Sequence, residues 1–228
     1  NNTLTKRTRK DNNYLINLAM ETRLGSHNGR VFLTLANDEQ RHTSSVSGGK
    51  VFGSLPFDNP DNDSKRISLG LTANGPVFKS HNYSVKGIVE KFQYDTPSEN
   101  NFDDLDDFRF WFQGIYDIKI NPRLLVSFVS LASLDHQVYI FSKRSADNNW
   151  NRIFKAGGLV EYRTPSGIQI KSDFNVLANY IDYDFDNTFV QIRSFVFRRF
   201  KMNQSAILPV TRKSRIEARL ELNLEENG

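Results

Sequence analysis

Apolar and polar residues alternate with a period of two along most of this chain. The alternation is clearest over residues 168–180, where Ile170, Phe174 and Val176 stand at even positions and Lys171 and Asp173 at odd positions. Because successive side chains of a β-strand point to opposite faces, this pattern predicts strands with one apolar and one polar face. The chain is therefore expected to be all-β.

The same alternation recurs in ten segments. The usual strand of a globular protein has about 5–6 residues, and a strand that crosses a membrane needs about 9–11. The segments found here match the membrane length better. We interpret the last one as a strand rather than a helix, because a helix would place Ala218 and Leu222 opposite Ile216, Leu220 and Leu224. The ten predicted strands lie near 13–21, 30–41, 67–74, 82–90, 108–119, 124–141, 154–162, 168–180, 190–200 and 207–225.

Short and long connections alternate between these strands. In an up-and-down meander, the odd connections lie at one end of the sheet and the even ones at the other. One-sided long loops are typical of transmembrane β-barrels. The odd connections are predicted to be short, near 25–29, 75–80, 121–123, 164–167 and 201–205, and the even ones longer, near 40–65, 95–107, 142–151 and 182–187.

The predicted fold is an antiparallel up-and-down meander of about ten long strands, forming a transmembrane β-barrel or part of one. In such a barrel, charged residues at polar positions face the lumen, where water or an opposite charge can satisfy them. Aromatic residues near strand ends could form girdles at the two membrane interfaces; these are Tyr14, Tyr162, Tyr180, Tyr183 and Phe200. The lumen-facing candidates are Lys155, Glu161, Lys171, Asp173, Glu217, Arg219 and Glu221.

Composition narrows the class of protein further. The chain has no cysteine, so it has no disulfides and no thiolate metal ligands. It also lacks an apolar run of about 18 residues, which excludes a helical membrane protein. We expect one domain over residues 1–228, with residues 1–12 as a polar tail that carries the densest basic run. Basic and acidic residues alternate elsewhere, so we expect no nucleic-acid partner.

Motifs for catalysis or cofactor binding are missing from the sequence. The four histidines, at positions 27, 42, 81 and 136, are scattered and show no metal-ligand spacing, and no hydrolase or phosphate-loop motif occurs. We therefore predict no cofactor, no metal and no catalytic residues. One enzyme hypothesis stays open, a cell-surface barrel hydrolase with His42 beside Asp58 or Asp61.

Three stretches carry a resemblance to a known class. The sequences SADNNWNRI (145–153), LANYIDYDF (177–185) and RSFVFRRF (193–200) resemble segments of large outer-membrane β-barrel proteins of Gram-negative bacteria. The similarity covers roughly the C-terminal half and includes no functional motif. It implies a barrel fold and an outer-membrane location. Residues 1–20 contain no signal peptide and the chain stops on Asn227-Gly228 rather than an aromatic residue, so we expect a piece of a longer barrel.

These observations predict an outer-membrane β-barrel with a transport, channel or structural and surface-scaffold role. Its expected partner is membrane lipid, with other outer-membrane or periplasmic proteins as further candidates. The alternatives are a soluble ligand-binding β-barrel or β-sandwich, whose strands also alternate, and the cell-surface hydrolase. A closed ten-stranded barrel would have a lumen largely filled by side chains, so an open channel would need more strands.

Overall fold

A computed structural model describes residues 4–47, 61–96, 102–185, 194–211 and 214–228. The described residues form ten strands and a single-turn 3₁₀ helix, Ser145–Asp147. Within these ranges, no helix has the length and apolar character needed to cross a membrane. The strands are β1 Leu4–Leu24, β2 His27–Ser47, β3 Asn62–Phe78, β4 His81–Asp95, β5 Leu105–Asn121, β6 Leu124–Tyr139, β7 Asn149–Arg163, β8 Gln169–Tyr183, β9 Phe195–Pro209 and β10 Arg215–Asn227.

All ten strands belong to one antiparallel sheet, ordered as they follow in the sequence. The prediction of an all-β up-and-down meander of about ten long strands is confirmed. The sheet is not closed, because β1 is hydrogen-bonded only to β2 and β10 only to β9. The observed fold is therefore an open sheet, and a barrel would require β1 to pair with a further strand.

Connection lengths differ strongly between the two ends of the sheet. The three tightest turns have two residues each, and Gly25 adopts a φ of +62° in the first of them, a conformation that glycine adopts without steric cost. The last two connections at this end, 164–168 and 210–214, have five residues. Connections at the opposite end have 14, 9, 9 and 11 residues. We call these two ends the short-turn rim and the long-loop rim.

The predicted turn at 201–205 is wrong. These residues lie inside β9, and the turn between β9 and β10 is at 210–214. Its ends are joined by hydrogen bonds, in which the Val210 and Thr211 N–H groups donate to the carbonyl of Ser214. The polar residues at 201, 203 and 205 are the polar face of a strand, which a short window does not distinguish from a loop. The predicted strand at 207–225 is accordingly divided between β9 and β10.

Residues 4–12 of the predicted polar tail lie in strand β1. Strand β1 begins at Leu4, and the pairs from Leu4–Ser47 to Asn12–Glu39 continue its ladder with β2. Two antiparallel strands can extend a ribbon through polar sequence, since backbone hydrogen bonds do not depend on side-chain type. The charge run that suggested a tail therefore lies in a strand.

The sheet has no hydrophobic core of its own. Among the described residues no hydrophobic side chain is buried, and the buried polar ones include Ser68, Ser127 and Ser133. Large apolar side chains are instead exposed in every strand from β1 to β10. A large contiguous apolar surface of this kind marks an interaction site in other proteins.

Candidate functional site

The register divides the side chains of the sheet into two faces. Directly paired residues of neighbouring strands share a face. The apolar positions of β1 to β5 therefore lie on one face, as the successive pairs show for Leu18, Leu33, Leu69, Val89 and Phe110. The coincidence continues through Leu134 in β6, Tyr180 in β8 and Val196 in β9, although β7 contributes Arg152 at this level. We call this side the apolar face and the opposite side the polar face.

Large apolar side chains are exposed on the apolar face, whereas polar side chains are buried on the polar face. In β3, Leu69 on the apolar face is 53% exposed, whereas its neighbour Ser68 on the polar face is 7% exposed. Outside the irregular positions at the ends of β3 and β5, the large exposed apolar residues of the strands lie on the apolar face, with the exceptions of Leu15 and Phe195. The surface offered to the surroundings is therefore continuous and apolar.

The apolar face ends towards the long-loop rim in a charged edge that crosses the strands obliquely. The first basic residues of β3, β7 and β9 are Lys65, Arg152 and Arg198. The strand pairs place them at the same level across the sheet as three residues of β5, which are Asp106, Phe110 and Phe112, respectively. From β3 to β9 the edge thus shifts by six residues over six strands, about one residue per strand.

The short-turn rim shifts in the same direction. Arg23, two residues before the first turn, is level with Ile115, which lies seven residues before Pro122 in the β5–β6 turn. This rim therefore moves by about five residues over four strands. The apolar band is a strip of nearly constant height, inclined to the strands.

The inclination matches that of a membrane barrel. A shift of one residue, about 3.3 Å, for each strand spacing of about 4.8 Å corresponds to a tilt of about 35°, and strands of outer-membrane barrels tilt by about 35–45°. On β5 the band runs from Phe108 to Ile118. This length of about 33 Å projects to about 27 Å along the band normal, close to the apolar height of about 25 Å in such barrels.

Tyrosine and histidine pairs line the short-turn rim on the apolar face. Nδ1 of His81 lies 2.8 Å from the hydroxyl of Tyr116, and Nδ1 of His27 lies 3.3 Å from the hydroxyl of Tyr83. Rings with one polar end suit a boundary between an apolar layer and water. Of the predicted girdle residues, Tyr162 lies at this rim and Tyr180 towards the opposite one.

Ion pairs form the charged edge at the other side of the band. Lys91 pairs with Asp106 at 3.2 Å and Arg198 with Glu226 at 3.4 Å, each across two neighbouring strands. Between them, the ring of His136 stacks on Trp150 with centroids 4.1 Å apart and planes 5° from parallel. The two borders of the band thus differ, since one carries ion pairs with a stacked aromatic pair and the other tyrosine–histidine pairs.

All seven predicted lumen-facing residues lie on the polar face, because each is at an odd position of β7, β8 or β10. Several are paired there. Lys171 lies 3.3 Å from Glu161, Asp173 accepts a hydrogen bond from Asn203 at 2.9 Å, and Arg219 lies 2.7 Å from Glu217. Glu221 lies 2.6 Å from Lys201. Whether this face lines a lumen depends on closure of the sheet.

The sequence interpretation missed an ion-pair network on the same face. Nε of Arg109 donates to Asp135 at 2.7 Å, and its two terminal nitrogens lie 3.7 Å from Glu90 and from Asp107. Glu90 also lies 3.8 Å from Arg66, so the network crosses β3 to β6. Each residue is visible as a polar position of its own segment. Only the register of neighbouring strands reveals that they converge.

Removing Arg109 is expected to destabilise the sheet. An Arg109→Leu substitution leaves Glu90, Asp107 and Asp135 together with less compensation, and we expect a loss of about 1–3 kcal/mol, towards the low end because Arg109 is half-exposed. Urea unfolding of the folded protein measures the loss. The matched control is Lys155→Leu, which removes a cation of the same face that forms no ion pair among the described residues. An equal loss of unfolding free energy in both variants would show that the ion-pair network does not stabilise the sheet.

Several polar atoms on the polar face are enclosed without a hydrogen-bond partner. Within the described ranges these include Oδ1 of Asn151, Asn175 and Asn179 and Nε of Arg199, all in β7 to β9. Enclosed polar groups are normally satisfied by protein or by water. Water on this side of the sheet would satisfy them, whereas an apolar partner would not.

At the long-loop rim, contacts between loops join the ends of several strands. Arg144 forms ion pairs with Asp103 of the preceding loop and with Asp147, and the hydrogen bond to Asp147 raises the pKa of Arg144 above its ordinary value. Asp104 accepts hydrogen bonds from the backbone and hydroxyl of Thr96. The acidic run at 103–107 is therefore divided, since Asp106 and Asp107 lie in β5 on opposite faces.

The described residues contain no group of three acidic or histidine side chains that could hold a metal ion. His27 and His81 contact tyrosines, and His136 lies 3.1 Å from Asp184. The hydrolase hypothesis needs His42 beside Asp58 or Asp61, and the side chains of His42 and Asp58 lie outside the described residues.

Comparison with known proteins adds no assignment. A scan against protein-family models and a search of curated proteins both return no match for this chain.

Proposed function

We propose that this chain forms the wall of a transmembrane β-barrel, with its apolar face in lipid and its polar face towards the barrel interior. The observation that carries the proposal is the inclined apolar band. Its tilt and height fit a bilayer crossed by tilted strands. The bilayer supplies the apolar surroundings that the sheet itself does not provide.

A soluble sandwich or barrel fits the same sheet less well. Such a protein needs a second layer over the apolar face, and among the described residues no hydrophobic side chain is buried. A second layer also has no reason to be bordered by ion pairs on one side and by tyrosine–histidine pairs on the other. Two membrane interfaces of different composition account for such borders.

We assign the barrel a transport, channel or structural role in the outer membrane of a Gram-negative bacterium. Closed barrels are the way in which β-strands cross a membrane, because every backbone polar group must be paired in lipid. Short turns at one rim and long loops at the other match the usual division between the periplasmic and outer sides. The polar face and its ion pairs suit contact with water and polar solutes.

Site-directed labelling of the complete chain tests the proposal directly. The chain has no cysteine, so single cysteines can be introduced without a background signal. We would reconstitute Leu69→Cys and Leu71→Cys on the apolar face, and Thr72→Cys and Asn74→Cys on the polar face, into phospholipid vesicles with a nitroxide label. Collisions with oxygen report lipid, and collisions with a water-soluble nickel complex report water.

The expected result is an accessibility that alternates with a period of two. Labels at positions 69 and 71 should respond to oxygen, and labels at 72 and 74 to nickel. Residues 69 to 74 lie in one strand, so differences in expression or insertion cannot produce the alternation. Protein that stays monodisperse without detergent, with position 69 shielded from both reagents, would favour the soluble alternative.

A further inference from the structure

The two outer edges of the sheet, β1 and β10, both carry charged residues. Strands β1 and β10 each pair on one side only, and a sheet edge left unpaired in lipid costs several kcal/mol for each free group. Building on the proposed function, we propose that β10 pairs antiparallel with β1 of the same chain, with Glu226 opposite Lys10, to close a ten-stranded barrel.

Charge complementarity and the position of the apolar band together favour this register. With Glu226 opposite Lys10, both residues stand at the charged edge of the apolar face, and Arg215 comes opposite Glu21 on the polar face. Glu225 and Asp11 also come opposite each other, but Arg9 already neutralises Asp11 at 2.6 Å. A shift by two residues in one direction places Arg215 against Arg23 and Glu217 against Glu21. A shift in the other direction brings Glu225 opposite Arg9, but it places Lys10 against Leu224, inside the apolar band.

The inclination of the band selects the same register independently. The row of paired residues that starts at Leu18 crosses β1 to β9 and reaches Val196. Val196 exchanges two backbone hydrogen bonds with Gly228, the residue directly after β10. In the proposed register Leu18 lies opposite Ala218, ten residues away from Gly228. Ten residues of stagger over ten strands equals the shift of about one residue per strand measured inside the sheet.

The centre of the polar face indicates why the partner is the same chain. Trp111, Ile115, Val129, Leu131 and Leu159 lie side by side on this face in β5, β6 and β7. In a wide barrel made by a second copy or by many further strands, these side chains would face a water-filled lumen. In a barrel of ten strands the interior is narrow enough to be filled by side chains, which buries this patch.

Disulfide cross-linking of the complete chain in vesicles tests the register. Met20→Cys combined with Ile216→Cys places two cysteines directly opposite each other, at a Cα separation of about 4.5–5.5 Å. The matched controls combine Met20→Cys with Ala218→Cys or with Ser214→Cys, two residues out of register. Their Cα atoms lie farther apart than the about 7 Å that a disulfide can bridge.

We expect the first pair to form an intramolecular disulfide in most of the monomer, and the two controls to stay reduced. A cross-linked dimer would show that a second copy occupies the edge and would overturn the proposal. So would oxidation of a control pair instead of the first pair, or no disulfide in any pair. Alternating lipid accessibility at positions 69 to 74 in the same samples would leave the transmembrane assignment standing in all of these cases.

Discussion

Arginine in place of Leu69 is expected to lower the free energy of unfolding of the membrane-inserted protein by about 2–4 kcal/mol, the cost of a cation on the lipid face near the bilayer midplane. Leu69 is exposed, lies in the middle of the apolar band and has Val89 and Leu33 as neighbours. Urea unfolding of the protein in vesicles, followed by the loss of heat-modifiable migration on gels, measures the difference.

Two matched variants separate a lipid contact from a protein contact. Thr72→Arg introduces the same cation on the polar face of the same strand, where we expect little change. Leu69→Phe should also be nearly neutral, because lipid chains adapt to a larger side chain. If Leu69 were packed against a second protein layer, overpacking by Phe would cost about 1–3 kcal/mol, and the lipid assignment of this face would be wrong.

An alanine at Gly157 is expected to destabilise the sheet by about 1–3 kcal/mol. The added Cβ would lie 2.5 Å from the carbonyl oxygen of Phe174 and 3.2 Å from the Cα of Asn175. Both atoms belong to the backbone of β8, so relief of the clash requires displacement of the ladder between β7 and β8. The denaturant midpoint of the purified protein measures the effect.

Gly87 provides the control for this substitution. Its added Cβ would have only the carbonyl oxygen of Trp111 nearby, at 3.9 Å. Since glycine loses more conformational freedom than alanine on folding, Gly87→Ala should stabilise the strand by about 0.5–1 kcal/mol. Equal effects of the two alanines would contradict the close approach of β7 and β8 at Gly157.

Most of the strands could be predicted because side-chain direction in a strand depends on local geometry alone. The alternation at Ile170, Lys171 and Asp173 is sufficient to assign β8 and its two faces. Where both faces carry similar residues, the local rule fails. Polar residues at 201, 203 and 205 are compatible with a turn, although Met202 between them continues the apolar face of β9.

The sequence predicted the face on which the site residues lie, but not which of them converge. Glu161 and Lys171 could each be assigned to the polar face from their own segments. The convergence of Glu90, Arg109 and Asp135 depends on the register of three strands, and register follows from turn lengths and small irregularities such as the one near the end of β5. A shift of two residues keeps every side chain on its face and yet disperses the network.

The sequence by itself determined that this chain consists of long two-faced strands with unequal connections at their two ends, since both properties are set by residues close together in the chain. Only the tertiary structure decided the register, which is the shift of each strand along its axis relative to its neighbours. This shift gives the apolar band its inclination, brings the ion pairs together across strands and leaves β1 and β10 each paired on one side. These relations join residues that are distant in sequence, and backbone hydrogen bonds between strands fix them.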